Sequence, residues 1–192
     1  MATTGSLRPV QDLNSTKGSA RIHGVLVSVK NVGVLITGKS GIGKSECALE
    51  LIIRGHKLVA DDLVVTSVER DKLVGMPDPL ISGYLELHGL GVIRVSSHFG
   101  RRALCPKKQI DMVIDFIEWD ESSHIRGFLK PYTYEITGRK LPLIKLPVRP
   151  ARNMASLVEV AVTSFLLKKR GKEEAKELEQ RIAKRINSTH EQ

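Results

Sequence analysis

The chain of 192 residues is long enough for one domain with a full core, and its 41% of hydrophobic residues is typical of globular proteins. It has no apolar run near the roughly 18 residues of a membrane span, and its two cysteines exclude a disulfide framework. A net charge of +9 would suit nucleic acid, but the basic residues are scattered and aromatic residues make up only 4%. We therefore expect no nucleic-acid or membrane partner, and the basic surface suits an acidic protein or a polyphosphate.

The first predicted elements are a flexible lead-in and two strands. Residues 1–20 are rich in Ser, Thr and Gly and lack the apolar segment of a signal peptide, which favours a cytoplasmic protein. Residues 22–30, IHGVLVSVK, alternate enough to predict a strand. Residues 32–38, VGVLITG, are apolar on both faces and predict a central strand, with Asn31 at the turn between the two.

A helix and a second strand region follow. The helix is expected to begin near Gly43 and to run to Arg54, with Gly55 as the residue that ends it. Residues 56–68, HKLVADDLVVTSV, predict the next strand region. Residues 70–115 are interrupted by Gly and Pro and contain short strand-like pieces, which predicts an irregular, strand-rich middle.

The last third of the chain predicts strands followed by two helices. Residues 131–148, PYTYEITGRKLPLIKLPV, add one or two strands, and apolar residues at helical spacing predict a helix over 155–169 that Gly171 ends. Residues 172–186, KEEAKELEQRIAKRI, predict a second, highly charged helix, either solvated or in contact with another subunit or partner. The chain as a whole predicts an α/β fold with a mixed sheet.

The strongest chemical signal is a P-loop between the predicted central strand and the first helix. Eight residues fit its pattern in full: Gly38, Lys39, Ser40, Gly41, Ile42, Gly43, Lys44 and Ser45. The glycines let backbone N–H groups bind phosphate oxygens, and the start of the helix adds the positive end of its dipole. We expect Lys44 to reach the β- and γ-phosphates and Ser45 to offer its hydroxyl to Mg²⁺.

An acidic pair follows soon after the P-loop. Asp61 and Asp62 lie near the predicted end of the strand after the helix, and therefore close to the phosphates. One carboxylate would bind Mg²⁺ and the other would accept a proton from an attacking hydroxyl, with both assignments open. His23 would approach this pair if its strand pairs with the central strand. Glu46 is either a first-turn acid favoured by the helix dipole or a group beside the metal.

Two arginines precede the predicted helix at 155–169. Arg149 and Arg152, in PVRPARN, either clamp a transferring phosphoryl group or lie in an ordinary surface loop. The sequence lacks the Asn-Lys-x-Asp run of guanine recognition, which argues against a GTPase.

Four stretches together resemble one family, HPr kinase/phosphorylase. They are IHGVLV, GVLITGKSGIGKSECALELIIRGHKLVADD, YLELHGLGVI, and LPVRPARN with its apolar helix, in family order over residues 22–170. The resemblance implies a P-loop domain similar to that of phosphoenolpyruvate carboxykinase, assembled as a hexamer. It implies transfer of phosphate from ATP or pyrophosphate, with Mg²⁺, to a seryl residue of the phosphocarrier HPr, and reversal by phosphorolysis.

The resemblance also assigns roles by position. It implies four catalytic residues: His23, Lys44, Asp61 and Arg152. It implies three residues around the metal: Ser45, Asp62 and Glu86. The P-loop residues hold the nucleotide, and Asp61 is implied as general base in the kinase direction and general acid in reverse. The chain then divides into a lead-in (1–20), a catalytic domain (21–170) and a charged helix with tail (171–192).

The sequence departs from the family at three positions. His88 stands where the family usually has arginine, Ala151 replaces the usual glycine, and Lys39 replaces an acidic or small residue. The family's N-terminal domain has no counterpart in these residues, and we expect the catalytic domain to do its chemistry without it. Two alternatives therefore stay open: a P-loop kinase of small molecules, and a nucleotide-binding regulatory module without activity.

Overall fold

The computed structural model describes residues 19–119 and 132–171. In these ranges the chain forms twelve strands, three α-helices and one short 3₁₀ turn at Arg101–Ala103. The helices are α1 (Lys44–Ile53), α2 (Val95–Phe99) and α3 (Met154–Lys169). The strands are β1 (Ser19–His23), β2 (Val25–Val29), β3 (Val32–Gly38), β4 (Lys57–Ala60), β5 (Leu63–Glu69), β6 (Lys72–Pro77), β7 (Tyr84–Leu87), β8 (Gly91–Arg94), β9 (Lys108–Gln109), β10 (Met112–Glu118), β11 (Tyr132–Ile136) and β12 (Arg139–Val148).

The central sheet is mixed and has six strands. Its order is β11-β12-β10-β3-β2-β4, in which β10 runs parallel to both β3 and β12 and the other pairs are antiparallel. Every residue of β3 except Gly38 is buried, because helices cover one face of the sheet and further strands cover the other. The predicted central strand is confirmed, and so is its turn, where Lys30 and Asn31 both adopt positive φ.

A second sheet, in the order β1-β5-β6-β9, covers the other face of the central sheet. The prediction of one strand over residues 22–30 is wrong, because the chain leaves the second sheet after His23 and enters the central sheet at Val25. Gly24 permits this passage: a Cβ there would lie 2.6 Å from the carbonyl oxygen of Ile36. The strand region predicted over 56–68 is likewise two strands, β4 in the central sheet and β5 in the second.

The helices complete a layered core. Buried residues of α1, such as Ala48 and Leu51, and of α3, such as Val158, pack with Val34 and Ile36 of β3. The helix predicted to run from Gly43 to Arg54 is confirmed within a residue at each end, and Gly55 follows it with a left-handed φ of 90°. The α/β class with a mixed sheet is therefore confirmed, and the fold positions the start of α1 at the carboxyl end of β3.

The last helix and the first strand lie close to where the sequence predicts them. The helix expected over 155–169 is α3, which begins one residue earlier. The predicted lead-in reaches residue 20, whereas β1 begins at Ser19; the rest of the lead-in and the charged helix at 172–186 lie outside the described residues. In the described ranges, no helix combines the length and the hydropathy that crossing a bilayer requires.

A candidate phosphate-binding pocket

The P-loop joins the end of β3 to the start of α1. Gly43 caps the helix with φ 97° and ψ 24°, a left-handed conformation that glycine adopts without the penalty that a Cβ imposes. No side chain caps this helix start, so the first backbone N–H groups of α1 have no side-chain acceptor. This arrangement leaves N–H donors and the positive helix end for an anion.

The loop opens into a pocket that gathers most of the predicted site residues. Nine of them line it: His23, Ser40, Gly41, Gly43, Lys44, Ser45, Asp61, Asp62 and Glu86. Four predicted residues are absent from its lining: Gly38, Lys39, Ile42 and Arg152. The pocket therefore brings together parts of the chain that the sequence separates by more than sixty positions.

Lys44 is buried within the loop that it is predicted to serve. Its Nζ donates to the carbonyl oxygens of Gly38, at 3.0 Å, and Lys39, at 2.8 Å. Burial lowers the pKa of the ammonium, while the nearby carboxylates of Asp61 and Asp62 oppose that shift. Gly38 and Lys39 thus act in the structure through their backbone, as holders of this cation.

Asp61 is a buried carboxylate with both oxygens engaged. Its Oδ1 accepts a hydrogen bond from Ser45 Oγ at 2.8 Å, and its Oδ2 accepts one from the backbone N–H of Glu86 at 3.0 Å. Burial raises the pKa of Asp61, and the hydrogen bonds from Glu86, Ser45 and the Asp62 backbone only partly offset this effect. Asp61 therefore fixes the Ser45 hydroxyl at the start of α1.

Asp62 differs from its neighbour in exposure and in partner. Its backbone is left-handed, with φ 64°, and this turn between β4 and β5 lets both aspartates line the same pocket. Its side chain is 61% exposed, and Oδ1 lies 2.9 Å from Nδ1 of His23. His23 arrives here because β1 pairs with β5, opposite Leu63, whereas the sequence pattern suggested pairing with the central strand.

The hairpin of β7 and β8 forms a further side of the pocket. Glu86, on β7, supplies both the backbone donor to Asp61 and a side chain in the lining. The backbone N–H of His88 donates to Glu46 Oε1 at 3.4 Å, so Glu46 ties the first turn of α1 to the hairpin. Sequence reasoning identified Glu86 only by resemblance, and it did not predict Val25 as a lining residue, because no local signal marks a strand start as a pocket wall.

The two arginines of the loop after β12 lie outside the pocket lining. Arg152 donates from Nη1 to the carbonyl oxygen of Pro147 at 3.3 Å, and the guanidinium of Arg149 stacks over the Trp119 ring. The side chain of Lys39 also points elsewhere, because its Nζ pairs with Glu118 Oε2 at 2.8 Å. The roles of Arg149 and Arg152 stay predictions.

The donor set of the pocket fits a hard divalent cation. Ser45, Asp61, Asp62 and Glu86 offer only oxygen ligands, which Mg²⁺ prefers. The described residues contain no group of three or more His, Cys, Asp or Glu side chains already gathered around a metal position. This is compatible with Mg²⁺, since it usually takes one or two protein carboxylates and completes its shell with water and phosphate oxygens.

The fold and the pocket together define an α/β protein in which a P-loop faces an acidic pair. The family described as "HPr Serine kinase C-terminal domain" matches residues 15–182, and the chain belongs to this family. The resemblance inferred from the four sequence stretches is thereby confirmed.

Individual relatives agree with this assignment. The chain is 48% identical over 170 residues to a protein of Geobacter sulfurreducens named HPr kinase/phosphorylase, covering 88% of this chain and 53% of the relative. A protein of the same name from Geobacillus thermodenitrificans is 48% identical over 167 residues, covering 86% and 54%. A solved structure titled as the Hpr(Ser) kinase/phosphatase from Coxiella burnetii is 34% identical with a TM-score of 0.73, covering 79% of this chain and 93% of that one. The chain spans about half the length of these curated relatives.

Proposed function

We propose that this chain is a Mg²⁺-dependent protein serine kinase and phosphorylase that acts on the phosphocarrier HPr. The observation that carries the proposal is the pocket in which Lys44 and Ser45 of the P-loop face Asp61 and Asp62. The names of the relatives supply the acceptor and the reverse reaction. Family membership also favours this proposal over a small-molecule kinase or an inactive regulatory module.

The P-loop side of the pocket is suited to hold ATP or pyrophosphate. Phosphoryl transfer needs positioning and charge stabilisation more than covalent chemistry from the protein. Backbone N–H groups at the start of α1 and the ammonium of Lys44 provide donors where negative charge gathers on the transferred group. Mg²⁺, held by Ser45 and Glu86, would neutralise further charge on the phosphate oxygens.

The structure favours Asp62 over Asp61 as the proton acceptor, the reverse of what the resemblance implies. Asp61 is only 5% exposed and both its oxygens accept hydrogen bonds from the protein. Asp62 is exposed to the pocket, and His23 contacts one of its oxygens. An acceptor hydroxyl can therefore reach a carboxylate oxygen of Asp62, while Asp61 holds the Ser45 hydroxyl, which would be a ligand of Mg²⁺.

The proposed reaction is balanced in both directions. In the kinase direction the seryl oxygen forms a bond to the γ-phosphorus of ATP, its proton passes to Asp62, and the bond to the β–γ bridging oxygen breaks to leave ADP. In the reverse direction an oxygen of inorganic phosphate attacks the phosphorus of phosphoserine. The seryl oxygen leaves with the proton from Asp62, and pyrophosphate forms.

Three finer features of the proposal rest on the family resemblance. We propose that the protein acts in the cytoplasm, that it assembles as a homo-hexamer, and that its phosphate site has the architecture of phosphoenolpyruvate carboxykinase. Light scattering coupled to size-exclusion chromatography tests the assembly directly. A monomer at micromolar concentration would contradict the hexamer, but it would not contradict the proposed catalytic activity.

The decisive experiment pairs the two aspartates. Protein, HPr, radiolabelled ATP and Mg²⁺ are incubated, and inorganic phosphate is then added to follow loss of label and release of pyrophosphate. Asp62→Asn should lower transfer about 100-fold or more while ATP still binds, because a general base contributes on this scale. Glu69→Gln, which removes a carboxylate whose partner, Lys107, also lies outside the pocket lining, is the control.

Two results would contradict parts of this proposal separately. Full transfer by Asp62→Asn, together with loss in Asp61→Asn at unchanged nucleotide affinity, would return the base role to Asp61. Absence of HPr labelling by the wild-type protein, with ATP bound, would overturn the proposed acceptor.

A further inference from the structure

A polar network joins the far end of α1 to the loop that carries the two arginines. We name this loop, residues 149–153, the arginine loop; it runs from the end of β12 to the N-cap of α3. Arg54 lies at the centre of the network, immediately after the last residue of α1. Neither the P-loop motif nor the pocket accounts for it.

Both terminal nitrogens of Arg54 donate hydrogen bonds, and their partners come from two helices. Nη1 donates to Ser156 Oγ at 3.0 Å and to Glu159 Oε2 at 2.7 Å. Nη2 donates to Asn153 Oδ1 at 3.2 Å and to Glu50. The guanidinium therefore binds α1, α3 and the last residue of the arginine loop with one planar group.

The partners of Arg54 also bind one another. The side chain of Asn153 accepts from the backbone N–H of Ser156 at 2.7 Å as the N-cap of α3, and its Nδ2 donates to Glu50. On the other side, His56 Nε2 lies 2.9 Å from Glu159 Oε1. Hydrogen bonds from Asn153 and Arg54 lower the pKa of Glu50, as those from His56 and Arg54 lower the pKa of Glu159.

The network is partly shielded from solvent. The side chains of Arg54, Glu159 and His56 are 29%, 24% and 13% exposed, whereas Glu50 is 38% exposed and Asn153 lies at the exposed edge of the network. Contacts of this kind hold a geometry better than exposed ion pairs do, because water competes less for each group and one guanidinium serves several acceptors. The downstream end of the arginine loop is thus fixed to the helix whose other end forms the P-loop.

We propose that Arg54 is a positioning residue, which anchors the arginine loop to the P-loop helix so that Arg152 can be brought to the transferred phosphoryl group. This inference rests on the proposed function and on the role at the phosphoryl group that the sequence predicts for Arg152. Arg152 directly precedes the anchored Asn153, and α1 is a rigid rod of about 15 Å between the anchor and Lys44. In this proposal the anchor holds the downstream end of the loop while Arg152, which donates to Pro147 in the structure, moves to the pocket.

The kinetic test asks whether Arg54 acts through Arg152. Arg54→Met keeps the apolar stem and removes the fork, and should lower kcat for HPr phosphorylation about tenfold to 100-fold, since small misplacements of a positioned group cost this much. The dissociation constant for ATP should change by less than about threefold, because the phosphate cradle is untouched. In an Arg152→Met background the same change should cost almost nothing further. Arg54→Lys should recover part of the loss.

The matched control is Lys107→Met, which removes a cation from an exposed ion pair with Glu69 at 2.8 Å and should leave kcat unchanged. Losses that multiply independently in the double variant would overturn the proposal, because they would show that Arg54 does not act through the loop. Wild-type activity in Arg152→Met would overturn it as well.

A second readout does not depend on activity. Trypsin cuts after Arg152, and release of the anchor should let the backbone there unfold locally into the protease, so we expect Arg54→Met to be cleaved there about tenfold faster than the wild type or Lys107→Met, as measured by mass spectrometry of the fragments. Unchanged cleavage would overturn the anchor even if HPr proved not to be the acceptor. Failure of HPr labelling with faster cleavage would instead contradict the proposed function and leave the anchor standing.

Discussion

The P-loop pocket and the arginine loop are held by different kinds of contact. The phosphate cradle of the pocket lies in consecutive residues, 38–45, and the buried side chains of Lys44 and Asp61 are fixed by hydrogen bonds to it. The arginine loop is exposed along its length, and its anchor pairs Arg54 with Asn153, 99 positions away. Under the proposed function, we expect the pocket to bind nucleotide without the loop and the loop to serve only the transfer step.

The largest expected effect comes from removing the buried cation of the pocket. Lys44→Met should lower transfer to HPr about 100- to 1000-fold, because it removes a donor aimed at the developing charge. Nucleotide binding should weaken too, and isothermal titration beside the transfer assay measures both. Unaltered ATP affinity in this variant would contradict the pocket as the binding region.

A smaller and more selective effect is expected in the loop. Arg152→Met should reduce transfer about 100-fold while the dissociation constant for ATP changes by less than about threefold, since its side chain lies outside the pocket lining. The same titration and transfer assays apply. A large loss of ATP binding would show that the loop belongs to the binding region, which would remove the contrast between the two regions.

The burial of Asp61 should make the free energy of unfolding depend on pH. Burial raises the pKa of Asp61 in the folded state above its unfolded value, so the folded protein binds more protons and loses stability as pH rises through that range. Asn cannot titrate, so the stability of Asp61→Asn relative to wild type should increase as the pH rises above the ordinary pKa of an Asp carboxyl, about 4. Urea unfolding of the free protein at several pH values measures it. A relative stability that falls with pH would contradict the sign.

The smallest expected effect concerns the backbone of the arginine loop. Ala151 holds a left-handed φ of 61°, which costs a residue with a Cβ about 1 kcal/mol, so Ala151→Gly should stabilise the fold by up to about that amount. The same change at Ala155, in the first turns of α3, should destabilise it and is the matched control. Thermal unfolding compares the two. Destabilisation by Ala151→Gly would show that alanine stabilises the loop by making it more rigid, and that this effect outweighs any strain in its backbone.

The parts of the site that lie in consecutive residues were predictable, and those set by distant pairing were not. The P-loop, α1 and the two aspartates follow from local spacing and from the order of apolar and polar residues. The proximity of His23 to the acidic pair was predicted through the wrong partner strand, because nothing in the polarity of residues 22–30 marks the break at Gly24. The anchor at Arg54 left no local signal, since its acceptors on α3 are about a hundred positions away.

At Gly24 the chain steps from the second sheet into the central sheet, so the pocket is complete only while the two sheets stay packed together. His23 belongs to the second sheet, Lys44 follows a strand of the central sheet, and Asp62 lies on the segment that crosses between them. A local opening that separates the two sheets would leave the phosphate cradle intact but would carry His23 and Asp62 together away from Lys44, because His23 pairs with Leu63, the residue after Asp62. Under the proposed function, we therefore expect the cohesion between the layers to set the fraction of time in which the proton acceptor faces the phosphate site.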